Sequence, residues 1–154
     1  MHTGGQFNSQ IGQYTQELTD FLSKQKIDLI IGSHPHCVLK HSFIDHKFTA
    51  FSLGNFCYTP KYGNYHDGVF SDYSIVINTY IGVESKRITN ISYFITKVIK
   101  DDTGNHIIYH IKDLYDISNE KERNKLQIDC NKVATRFFDD TKHVYDVNKL
   151  ETYI

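Results

Sequence analysis

The chain has 154 residues, 40% of them hydrophobic, and a formal net charge of −1, which fits one domain with a core of its own. That charge excludes a basic field for nucleic acid, and no run of about 18 apolar residues offers a membrane span. The opening MHTGGQFN has neither the basic flank nor the apolar stretch of a secretion signal.

Residues 1–10 form a turn-like segment with Gly4, Gly5, Asn8 and Ser9. Ile11, Tyr14, Leu18, Phe21 and Leu22 recur at three- and four-residue spacing. This predicts a helix over 11–26 with one apolar stripe, capped by Ser9. The run IDLII (27–31) predicts a short buried strand ending at Gly32. The loop GSHPH follows, then strands over 38–44 and 48–52 around the turn Asp45-His46-Lys47. After the loop LGNFCYTPKYGNYHDG, strands are predicted over 73–81, 88–99 and 106–114, the last two joined by a turn around Asp102-Thr103-Gly104-Asn105. A helix is predicted over 119–138, capped at Ser118 or Asn119 with Glu120 and Glu122 in its first turn. The last sixteen residues are polar and are expected to fray. This order predicts an α/β fold with a mixed sheet over 1–116, followed by a C-terminal helix and polar tail over 117–154.

Three cysteines, Cys37, Cys57 and Cys130, show no CxxC spacing. This argues against a disulfide framework or zinc ribbon and reads as small buried hydrophobes.

The chemistry concentrates in IDLIIGSHPH. A buried strand delivers the chain to its C-terminal end, where open α/β sheets place ligand sites. Gly32 permits a sharp turn or a close backbone approach. His34 and His36 are one residue apart, so in an extended segment both imidazoles face one point, and Pro35 biases His34 towards that extended form. Two imidazoles on a stiff loop suit a divalent transition metal; two polar residues on a surface loop would read the same. His2-Thr-Gly-Gly has a similar shape, a histidine ahead of a flexible glycine pair, and is equally compatible with a disordered terminus. In AFSLGNF, Asn55 sits at a turn where its amide can donate and accept.

Taken together, HTGGQF, IDLIIGSHPHCV and FSLGNF, in that order and spacing, resemble the bacterial capsule-synthesis CapA or poly-γ-glutamate synthesis family. That family belongs to the calcineurin-like metallophosphoesterase superfamily. The resemblance is close over residues 1–56 and rests on strand order alone from about 67 to 115. It implies the C-terminal part of a metallophosphoesterase α/β sandwich. It also implies that His2 and His34 bind one metal, His36 the other, and Asn55 lines the same cleft as a substrate-binding residue. The cofactors implied are divalent ions, manganese, iron or zinc, two in the complete protein. The superfamily's bridging aspartate and its other ligands belong to segments expected upstream of Met1, so the chain is read as a truncated form with an incomplete two-metal hydrolase site. Thr3 and Gln6 stand where the family has tryptophan and glutamate. The resemblance further implies association with the cell envelope, and as partners an upstream half or a membrane-bound polymer-synthesis machinery. The alternative reading is a non-catalytic interaction module or remnant with vestigial ligands. His41 and His46 read as exposed hairpin residues, and His66 and the aromatics Phe56, Tyr58, Tyr62 and Tyr65 as loop groups near the cleft or over the sheet edge.

Overall fold

The computed structural model describes residues 1–57, 70–149 and the backbone of 151–152. The order of elements is α1 (Gln13–Ser23), β1 (Leu29–Ile31), β2 (His41–Ile44), β3 (Lys47–Ala50), β4 (Tyr73–Ile81), β5 (Ile88–Lys100), β6 (His106–His110), α2 (Ile111–Ile117), α3 (Glu120–Phe138) and β7 (Glu151–Thr152). The fold is α/β, with a C-terminal helix. The strands form two small sheets.

The first sheet is mixed, in the order β1-β3-β2, with β1 parallel and β2 antiparallel to β3. The β2–β3 hairpin closes through two residues, Asp45 (φ 47°) and His46 (φ 62°). That left-handed pair suits the twist of its flanking strands. The second sheet is antiparallel, β4-β5-β6, with β7 also paired to β5. The bridge Val38–Leu53 prolongs the β2–β3 pairing, and the sheets are stitched by the bridge Gly54–Ser74 and by Ile75 N–H donating to Leu53 O at 2.8 Å. Gly54 has φ 83°, and a β-carbon there would lie 2.7 Å from Tyr73 O. The sheets can meet this closely only over glycine.

Helix α3 covers the junction. Its Leu126, Cys130, Val133, Ala134 and Phe137 share one buried cluster with Phe48 and Ala50 of the first sheet and Tyr73, Ile75, Ile91, Tyr93 and Ile95 of the second. The helix opens on a reciprocal capping box between Asn119 and Glu122, which satisfies two backbone donors at its first turn.

Several expectations are corrected. Helix α1 starts at Gln13 with Gly12 at its cap and no side-chain cap bond, so Ser9 does not cap it. The packed face is also rotated from the expected stripe, whose Ile11, Leu18 and Leu22 stay half-buried. The helix buries Thr15, Thr19 and Ser23 and leaves Tyr14 68% and Phe21 60% exposed. Small polar residues spaced by four allow close approach, and their hydroxyls are satisfied: Thr19 donates to Thr15 O at 2.7 Å and Ser23 to Asp45 Oδ2 at 2.8 Å. The strand expected over 106–114 ends at His110, whose Nδ1 accepts from Lys112 N–H at 3.1 Å and caps α2. Ile111 and Leu114 are then buried three apart, a helical spacing. The tail does not fray throughout. Tyr145 and Val147 are buried, and Ile95 N–H donates to Tyr145 Oη at 3.2 Å. His41 is not an exposed hairpin residue: its ring packs on Phe48, Phe137 and Phe138. Cys37 and Cys130 are buried, but Cys57 is exposed.

Candidate functional site

Strand β1 runs straight into Gly32, whose N–H donates to Ala50 O at 2.7 Å. A β-carbon at Gly32 would lie 1.9 Å from Phe51 O, so the anticipated close approach is to the outgoing end of β3. Met1–Thr3 runs beside the exit of β1 as a short parallel addition. His2 bridges Ser33, Ser33 N–H donates to Met1 O at 2.8 Å, and Thr3 N–H donates to Ser33 O at 3.1 Å. The Met1 ammonium donates to Ile31 O at 2.7 Å. Backbone pairing therefore carries His2 to the loop that holds His34 and His36.

The three rings gather there. His2 and His34 meet edge to face with centroids 4.5 Å apart, and His34 and His36 lie 6.0 Å apart. His2 is exposed, His34 and His36 are half-buried, and Pro35 between them is buried. The backbone reaches this arrangement by a route other than the one expected. His34 has φ 110° and His36 φ 58°, so the loop is not extended at either residue. Each left-handed non-glycine residue costs on the order of 1–3 kcal/mol and persists only where its surroundings impose it. Here Phe7 N–H donates to Pro35 O at 2.7 Å, and the Phe7 ring stacks on His36 at 5.4 Å.

Asn55 comes from the segment where the two sheets join. Its Nδ2 donates to His36 O at 3.2 Å and Ser71 O at 3.0 Å, while its Oδ1 lies 2.8 Å from His36 Nδ1. The amide is thus turned onto the histidine loop. This link between residues 19 apart has no short-range signature in the sequence, and neither does the stacking of Phe7.

Imidazole nitrogens suit a divalent transition ion. Among the described residues, however, no group of three or more His, Cys, Asp or Glu side chains is placed to hold an ion. As placed, the cluster offers one ion at most two such donors. The donor set fits part of a single-ion site; it does not fit a two-ion centre, whose positive charge calls for carboxylates. His66, Tyr58, Tyr62 and Tyr65 lie outside the described residues, and Phe56 is exposed. A cavity of about 630 Å³ lies elsewhere, lined by Ser9, Gln10, Lys40, Lys132 and Arg136 among others, and includes none of the three histidines.

Residues 1–59 match the family of the bacterial capsule synthesis protein PGA_cap. The matched segment contains His2, His34, His36 and Asn55, together with all three motifs that carry the resemblance. No curated protein and no solved structure matches the chain. No helix among the described residues is long and apolar enough to cross a membrane.

Proposed function

We propose that this is a CapA-like protein of capsule or poly-γ-glutamate biosynthesis in which His2, His34 and His36 supply part of a divalent-metal site. The observation that carries this reading is the meeting of the His2 and His34 rings at 4.5 Å, with His36 at 6.0 Å from His34, inside the span that matches the capsule-synthesis family. In a hydrolase of the metallophosphoesterase kind, bound divalent ions activate water and stabilise developing charge. This chain's own contribution is imidazole donors held on a stiffened loop beside β1. The carboxylates such chemistry needs are not in this cluster, so they must come from another segment or from a partner in the polymer-synthesis machinery.

Alone, the chain is expected to bind zinc or manganese weakly and to hydrolyse little. Calorimetry should show at least a tenfold loss of zinc affinity in His34→Ala/His36→Ala. Equal heats in wild type and variant would instead favour a non-catalytic interaction module. Appreciable turnover of a generic phosphodiester by the isolated polypeptide with metal added would contradict the proposed incompleteness.

A further inference from the structure

The Asn55 amide and the His36 ring form a unit with one consistent assignment of hydrogens. Both Nδ2 hydrogens of Asn55 point at backbone carbonyls, His36 O at 3.2 Å and Ser71 O at 3.0 Å. Turning the amide over would set Oδ1 against those two carbonyl oxygens, an arrangement of acceptors with no proton between them. The amide is therefore fixed, and Oδ1 faces His36 Nδ1 at 2.8 Å as an acceptor. An acceptor there requires the hydrogen on Nδ1, and in a neutral imidazole that puts the lone pair on Nε2.

We infer that Asn55 is a positioning residue that locks His36 in the Nδ1–H tautomer and presents Nε2 as its ligand atom. This rests on the metal-site reading above and changes the part that Asn55 plays in it. Asn55 does not reach for substrate; it orients a donor. Hydrogen-bonded partners of this kind fix the ring orientation and raise the basicity of metal-binding histidines, and removing them typically costs about 10–100-fold in metal affinity. The amide also ties the loop to Ser71 at the foot of β4, so the ring is referenced to both sheets. Phe7, stacked on the same ring at 5.4 Å, restricts its tilt.

The test is long-range proton–nitrogen correlation NMR on the metal-free full chain at a pH where His36 is neutral, alongside zinc calorimetry. The expected wild-type spectrum shows a protonated Nδ1 and a pyridine-like Nε2 at His36. Asn55→Ala should release the ring to a mixture of tautomers and lower zinc affinity at least tenfold. A wild-type His36 protonated on Nε2 would overturn the inference without any variant. So would an unchanged tautomer in an Asn55→Ala protein whose amide dispersion shows it folded. The expected tautomer with no zinc heat in the wild type would overturn the metal-site reading and leave the positioning of His36 standing.

Discussion

His34 combines a side chain the proposed site needs with a backbone that glycine would adopt more readily. At φ 110° a β-carbon is strained, so the usual order of substitutions should invert. His34→Gly is expected to be more stable than His34→Ala by about 1 kcal/mol, while both lose zinc binding. Urea denaturation of the two variants checks this, and an alanine variant as stable as the glycine one would show that the loop carries no strain. Gly32 is the opposite case. With a β-carbon placed 1.9 Å from Phe51 O, Gly32→Ala should cost about 3 kcal/mol or prevent folding, the upper range for overpacking. At this scale the sequence was readable where residue type alone restricts the answer. A glycine after a buried strand, and histidines flanking a proline, point to close approach and convergence. The left-handed torsions and the Asn55–His36 pair were not readable, because they depend on contacts between segments far apart in the chain.

Among the elements, α3 was legible because its capping residues stand next to its first turn. Asn119→Ala removes the acceptor for Glu122 N–H at 3.1 Å and should cost about 1 kcal/mol, read as a melting temperature lower by about 2–4 °C for a chain of this size. Helix α1 was misread for a physical reason. Apolar periodicity reports which residues share a face, but not whether that face is the one that packs. Thr15, Thr19 and Ser23, at a spacing of four, fit the closer approach, so the helix rolls onto them and keeps Leu18 and Leu22 of the apolar stripe half-buried at the edge of the contact. Phe21→Ala is therefore expected to change stability by less than about 0.5 kcal/mol; a loss of 2 kcal/mol or more would place the Phe21 ring in the core after all. The 106–114 segment was read as a single strand because its apolar residues suit either period. The break comes from the His110 ring capping a new helix.

The molecule as a whole is held together between the sheets and α3, and its polar interior shows how. Lys97 lies 3.0 Å from Asp72 Oδ2 and donates to Tyr73 Oη at 2.7 Å, while Tyr73 donates to Asp129 Oδ2 at 3.0 Å. Burial, then the neighbouring Asp129, raises the Tyr73 pKa, so the phenol stays neutral and keeps its proton for Asp129. Burial likewise pushes the Cys130 thiol up to about 12. Lys97→Ala leaves Asp72 beside the core without its cation and should cost about 3–5 kcal/mol. His41 links the first sheet to α3 through Nδ1, which donates to Phe137 O at 2.7 Å, and burial lowers its pKa below 6.5. The folded protein therefore binds fewer protons at His41 than the unfolded chain does. The stability this confers is present above pH 6.5 and is lost as pH falls from there through the folded-state value. His41→Gln should flatten that acid limb in urea titrations at successive pH values. The tail escaped prediction because its buried residues, Tyr145 and Val147, find their partners only in the finished sheet and in α3.

The metal site itself is open to direct inspection. Anomalous diffraction from crystals grown with zinc should show a peak about 2.0–2.1 Å from a ring nitrogen of His2 or His34 or from Nε2 of His36. A strong zinc peak bound elsewhere, with these three rings bare, would contradict the account.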